Sequence, residues 1–146
     1  MRERRQAIVF ALAWGASLVV LLAAISAMAP HAVSSSTASS VRLVIHGPSW
    51  TLTYDASTRN NTVFGLLKEA NVTLGFELRW VEYGWPYNDV LVTSINGSTS
   101  DQARNLWWQY CVNSVYASQG AASQAIHEGD LVKWLYAPPG GADLCR

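Results

Sequence analysis

Charge is scarce in this chain. Lys, Arg, Asp and Glu together make up 14% of its 146 residues, and the formal net charge is zero. An ordinary soluble domain carries about 25%. The few basic residues are scattered, so there is no basic patch and nucleic acid is excluded as a partner. Histidine and cysteine are equally sparse. His46 and His127 lie far apart, and no C-x-x-C or H-x-x-x-H spacing is present, which excludes a metal site of the usual sequence type. G-x-S-x-G, the P-loop, G-x-G-x-x-G and H-E-x-x-H are all missing. The acidic residues are dispersed, with no pair placed for general acid–base work. These absences point away from an enzyme, and no internal repeat indicates a solenoid.

Much of the charge deficit traces to one segment. Residues 7–29 carry no charge and are nearly all apolar. As a helix they would rise about 34 Å, enough to cross a hydrocarbon layer of about 30 Å. Arg2, Arg4 and Arg5 precede the run and would hold that end in the cytoplasm, leaving the rest of the chain outside. The expectation is an uncleaved signal-anchor, so that residues 1–29 contact the membrane. Ala27-Met28-Ala29 offers a cleavage site, and cleavage would give a secreted protein. No later stretch is long and apolar enough for a second span. Residues 30–40 are rich in Ser and small side chains and read as a flexible stalk.

What remains, residues 41–146, is long enough for one domain with its own core. Beyond residue 32 there are seven Lys or Arg and nine Asp or Glu, a net near −2. Val41, Leu43 and Ile45 alternate with more polar neighbours, and Trp50-Thr51-Leu52-Thr53-Tyr54 alternates again after Gly47-Pro48, so the pair predicts a β-hairpin. Val63, Leu66, Leu67 and Ala70 fall at i, i+3, i+4 and i+7, which predicts a helix over 62–71 with Asn61 as its N-cap. Gly65 within it suggests close approach to a sheet. Strands are expected near 76–83 and 90–95, separated by Gly84-Trp85-Pro86-Tyr87-Asn88, with a turn at Asn96-Gly97. The stretch 107–116 is the most aromatic and reads as one long strand, and Leu131 to Tyr136 forms the last strand. Two strands, one helix and about four further strands give an α+β fold, a β-grasp-like mixed sheet covered by one helix.

Four segments in order carry a family pattern: Ser94-Ile95-Asn96-Gly97, Trp107-Trp108-Gln109-Tyr110-Cys111-Val112-Asn113, Ala117-Ser118-Gln119-Gly120, and Gly129-Asp130-Leu131-Val132-Lys133-Trp134-Leu135-Tyr136. The chain resembles the transcobalamin-like C-terminal domain family over roughly residues 41–137. That family is related to the small β-domain of intrinsic factor and transcobalamin. The resemblance implies a β-grasp fold of the soluble-ligand-binding type. It also implies cobalamin or another tetrapyrrole as the ligand class, because in the carriers this domain closes over the corrin. Trp108 and Gln109 match the carriers' Trp-Gln pair. Asn113-Ser114 stands where relatives commonly have Asn-Gly.

The candidate chemistry is therefore aromatic. Trp107, Gln109, Trp85 and Tyr87 could form a platform for a flat ligand or a glycan, with Gln fixing orientation by hydrogen bonds. Trp108, Tyr110, Val132, Trp134 and Tyr136 could instead be plain core, and the Trp-rich face could serve a structural or adhesive module that engages another cell-surface protein. Cys111 and Cys145 fit one intramolecular disulfide in an oxidising compartment, with a free thiol or an intermolecular bond as alternatives. Asn60, Asn71 and Asn96 each begin an N-x-S/T sequon and are glycosylation candidates.

Overall fold

The computed structural model describes residues 40–146. The expected membrane segment at residues 7–29 and the stalk, Ser40 apart, lie outside the described residues. No helix among the described residues is long and apolar enough to cross a membrane.

The elements run β1 (Val41–His46), β2 (Thr51–Ala56), α1 (Val63–Leu74), β3 (Leu78–Tyr83), β4 (Asp89–Ile95), β5 (Ser98–Thr99), β6 (Trp107–Val112), β7 (Val115–Tyr116) and β8 (Leu131–Ala137), followed by a 3-10 turn at Gly141–Cys145. Over the described residues the fold is α+β, mostly strand, with a single α-helix. The expectation of one sheet is corrected. A five-stranded sheet has the order β2-β1-β8-β6-β7, and β3-β4-β5 forms a separate antiparallel sheet. The larger sheet is mixed because β1 runs parallel to β8, with Leu43 opposite Val132 and Ile45 opposite Trp134. Local alternation marks a strand and its buried face, but it does not name the strand's partner, so the division into two sheets left no trace in the pattern.

The core follows the alternation closely. Val41, Leu43 and Ile45 of β1 are all buried, as are Trp108 and Tyr110 of β6 and Val132 and Trp134 of β8. The aromatic residues pack in tilted pairs, Trp108 with Tyr136 at 5.2 Å and Tyr110 with Trp134 at 5.1 Å between ring centroids. The helical face Val63, Leu66, Leu67 and Ala70 is wholly buried in the same core. Helix α1 begins one residue later than expected. Thr62, not Asn61, is its N-cap, with extended backbone and a hydroxyl that accepts from the Gly65 N–H. The helix ends at Gly75, whose φ of 74° only glycine adopts freely. Gly65 does not face a sheet. A Cβ there would meet Asn60 Cβ at 2.8 Å, so the glycine admits the helix's own leading loop.

That loop is fixed by Glu69. Its carboxylate accepts from the Tyr54 hydroxyl at 2.9 Å, from Asn60 Nδ2 at 2.9 Å, and from Thr58 Oγ1. Partial burial pushes the Glu69 carboxyl up, but the Thr58, Asn60 and Tyr54 donors outweigh it and hold its pKa below the ordinary value.

The segment 107–116 is not one strand. Asn113 and Ser114 take φ of 51° and 66°, so the chain reverses there and returns as the two-residue β7. Two adjacent left-handed residues make the mirror-image turn that suits a tight hairpin, and Asn supplies one of them without glycine. Cys111 and Cys145 form a disulfide, with Cα atoms 5.8 Å apart. The bridge holds the C-terminal turn against the sheet, where Lys133 Nζ donates to the Cys145 carbonyl at 3.4 Å. The two cysteines lie 34 positions apart, and closing a loop of that size in the unfolded chain stabilises the fold by about 3–4 kcal/mol. Replacing both cysteines by Ser should lower the unfolding free energy by about that amount in guanidinium titrations. An unchanged midpoint would show that the tail contributes nothing to the fold.

Candidate binding groove

The short strands β5 and β7 shape the surface between the two sheets. β5 pairs only with Ser94 and Ile95, and β7 only with Cys111 and Val112. The first halves of β4 and β6 therefore continue with no strand among the described residues on their outer edges. Between them lies a cleft of about 370 Å³, with Val90, Leu91 and Val92 from β4 and Trp107 to Tyr110 from β6 in its walls. Pro139 of the tail also lines it. A second hollow of about 700 Å³ adjoins it, sharing Val90, Leu91, Gln119 and Gly120 and adding Tyr83, Tyr87, Asp89 and Ser123.

Asp89 locks the groove's third side, the loop after β7. Its Oδ1 accepts from the Val90 N–H at 2.7 Å and from the Ala122 N–H at 2.9 Å. A Cβ at Gly120 would collide with the Asp89 carboxylate, so only glycine allows this approach. The same loop meets the helix start: Phe64 N donates to the Ala121 carbonyl at 2.8 Å and Val63 N to the Gln124 carbonyl at 3.0 Å. These bonds satisfy two of the orphan donors at the N-terminus of α1. Burial pushes the Asp89 carboxyl up, but the Ser123 side chain and the Val90, Ala122 and Ser123 backbone donors prevail and hold its pKa below the ordinary Asp value. Tyr110 moves the other way. Burial first, then the Asp89 charge, push its hydroxyl well above the usual phenol range. It stays protonated and donates to the Gln119 carbonyl at 2.6 Å.

The residues expected at the site divide. Trp107, Trp108 and Gln109 line the cleft and Tyr87 lines the adjoining hollow. Trp107 is half-buried, and its Nε1 donates to Asn105 Oδ1 at 3.0 Å. Trp108 is 4% exposed and belongs mostly to the core, with its Nε1 donating to the Ser98 carbonyl at 2.7 Å. Gln109 is buried and uses its amide internally: Nε2 donates to the Ala137 carbonyl at 2.8 Å, and Oε1 accepts from the Tyr116 hydroxyl at 2.7 Å. Trp85 is brought into neither hollow. It is 88% exposed in the β3–β4 turn, next to a cis peptide bond with Pro86. Among the sequons, Asn60 and Asn71 spend their side-chain amides on Glu69 and the Phe76 carbonyl. Asn96 is exposed in the β4–β5 turn, at a φ of 49°.

Asp89, Val90, Leu91, Val92 and Ala121 were not singled out from sequence, and Gln119 and Gly120 entered only as part of the family pattern. The run Gly120-Ala121-Ala122-Ser123, with no side chain larger than Ser, was the one local sign of a tight approach. Trp134, which also lines the cleft, carries an Nε1–H with no hydrogen-bond partner, the one buried side-chain polar atom of that kind among the described residues. No group of three or more His, Cys, Asp or Glu able to hold a metal ion is assembled among the described residues.

The family described as Domain of unknown function (DUF4430) matches residues 60–137. The chain belongs to that family. The DUF4430 match covers α1 through β8 and so includes both walls of the groove. Two solved structures are similar to this DUF4430 protein. One is a candidate metal binding protein from Ruminococcus gnavus ATCC 29149, 14% identical, with a TM-score of 0.57 over 69% of this chain and 98% of that one. The other is haptocorrin in complex with Cbi, 19% identical, with a TM-score of 0.57 over 67% of this chain and 25% of that one. At such identities the likeness is one of fold, and the fold is transcobalamin-like. No curated protein matches the chain.

Because the folded-state pKa of Asp89 is depressed, its contribution is fully present above the unfolded value of about 3.9 and is lost as pH falls through the lower folded value. Asp89→Asn should cost about 1–3 kcal/mol at pH 7 and flatten the stability-against-pH curve below pH 5. Urea unfolding from pH 7 to pH 2 measures both. Parallel curves for the two proteins would remove Asp89 as the clasp.

Proposed function

We propose that this protein is an extracytoplasmic binding module, not an enzyme, and that its ligand occupies the groove between β4 and β6. Residues 7–29 hold it at the cell membrane with the N-terminus in the cytoplasm, or release it if they are cleaved. The observation that carries the reading is the pair of adjoining hollows, apolar in their walls and shaped by an ordered set of hydrogen bonds. Their volumes, about 370 and about 700 Å³, match those that hold small organic ligands. The transcobalamin-like fold, with its β-grasp-like sheet, and the likeness to haptocorrin solved with Cbi support cobalamin or another tetrapyrrole as the class to try first. Trp107 stacks on such a flat ligand within the cleft, and Tyr87 bounds it on the side of the adjoining hollow. Trp108 and Gln109 stiffen the wall behind.

Adding cobalamin and other tetrapyrroles to the full chain in detergent should quench tryptophan fluorescence, with at least tenfold weaker binding in Trp107→Ala. A flat titration with every tetrapyrrole removes that ligand class. Alkaline carbonate should leave the protein in the membrane pellet, whereas its release would refute the anchor.

A second reading, a structural or adhesive module engaging protein or glycan partners, draws on the β3–β4 hairpin. Trp80, Val81, Tyr83, Trp85 and Tyr87 are all exposed there. A strictly monomeric protein in size-exclusion chromatography would argue against assembly through that hairpin.

A further inference from the structure

The larger hollow holds a single charge. Asp89 is the one charged residue in its lining, and no Lys, Arg or His nitrogen comes within 4 Å of its carboxylate among the described residues. Tyr83 lies directly opposite Asp89 in the β3–β4 ladder. Opposed residues leave a sheet on the same face, with Cβ atoms about 5 Å apart. Tyr83 and Asp89 therefore line one side of the hollow together. Tyr87 joins them from the turn, where its N–H donates to the Gly84 carbonyl at 3.0 Å. Both tyrosines are exposed, and Val90 and Leu91 add apolar wall.

The Asp89 carboxylate is charged but has no acceptor position to spare. Its Oδ1 takes the Val90 and Ala122 N–H groups, and the Ser123 N–H and hydroxyl also donate to it. A carboxylate offers about four lone-pair positions, and these donors fill them. A primary ammonium or a guanidinium entering beside it would give up hydration and find no acceptor in exchange, which is costly. A quaternary ammonium has no N–H to satisfy. It is drawn by the charge at a distance and by aromatic faces within about 6 Å.

We propose that the larger hollow binds the quaternary ammonium group of a small organic ligand, with the Tyr83 and Tyr87 rings as its walls and the Asp89 charge selecting for it. The rings supply contact to the N-methyl groups. The carboxylate repels anions and favours a cation over a neutral group of the same shape. The inference rests on the reading of the groove as the ligand site and assigns the chemistry of what its larger hollow takes.

The test titrates the full chain, in an uncharged maltoside detergent, by calorimetry. The probes are choline, ethanolamine and 3,3-dimethylbutan-1-ol, the uncharged carbon analogue of choline. Choline should bind saturably, and about fivefold or more tightly than either of the others. Tyr83→Leu and Tyr87→Leu should each weaken choline by about threefold or more, while Tyr83→Phe and Tyr87→Phe stay within about twofold of the unaltered protein, since the ring and not the hydroxyl makes the contact. Asp89→Asn should bring the preference for choline over dimethylbutanol below about twofold. Where that variant does not fold, the tyrosine pairs decide. Glycerophosphocholine presents the same group as a phospholipid headgroup does. Binding tighter than that of choline assigns the headgroup, and weaker binding a free solute, either result in support of the quaternary assignment.

Dimethylbutanol binding as tightly as choline overturns the charge selection and leaves an apolar site. Ethanolamine binding as tightly as choline reveals a free acceptor at Asp89 and overturns the quaternary assignment. Choline binding that the leucine variants leave unchanged overturns the location. Tetrapyrrole binding with none of the small probes bound overturns the inference and keeps the functional reading. Failure of every ligand overturns the two together.

Discussion

Burial of β6 on both of its faces is the constraint on which the rest depends. Trp108 and Tyr110 fill the side toward the helix, while Gln109 and Cys111 are sealed on the other. A strand buried on one face tolerates a polar residue on the other at little cost. A strand buried on both must satisfy every polar atom it carries, because a buried, unpaired amide costs about 1–3 kcal/mol. Gln109 meets that demand through Ala137 and Tyr116, and the second face is closed by a tail that the disulfide holds in place. The lone glutamine among aromatic residues is therefore a fastener between β6, β7 and the end of β8. Its identity is explained without any ligand.

From that constraint the groove follows. β6 is fixed between β8 and β7 in one sheet and β4 between β3 and β5 in the other. The strands that could join them stop after two residues each. Trp108 Nε1 and the Tyr136 hydroxyl bind the carbonyls of Ser98 and Thr99, tying β5 to the large sheet at one end. Asp89 binds the loop after β7 to β4 at the other. The two sheets are joined at both ends and parted between them. The opening is thus held by hydrogen bonds at its margins rather than left by poor packing.

Much of this was legible where the signal is local. The alternation of Val41, Leu43 and Ile45 and the i, i+3, i+4, i+7 set from Val63 to Ala70 each prescribe one structure and are found there, and of the states open to the single pair of cysteines the intramolecular disulfide is the one formed. Asn113-Ser114 was missed as a turn because neither residue is glycine and strand-like residues flank both sides. The second sheet was missed because pairing is a long-range choice. Trp85 and Tyr87 looked alike in sequence, two aromatics in one loop. Yet one stands in solvent and the other bounds a hollow, since that depends on how far the loop at Gln119 and Gly120 reaches toward it. Asp89 gave no sign, because its role lies in contacts with residues more than thirty positions away.

An ionised carboxylate in an apolar wall would ordinarily demand a cation, since an unpaired buried charge is costly. Asp89 avoids this because donors from Val90, Ala122 and Ser123 solvate it in place of water. The groove is therefore stable when empty, and its charge is available to an occupant. The same solvation limits what a cation can add. A charge already held by several donors gains less from a new partner than a bare one would, and its attraction acts more on which occupants enter than on how tightly they stay. Affinity has to come from the apolar walls, with the carboxylate choosing among the occupants that fit them.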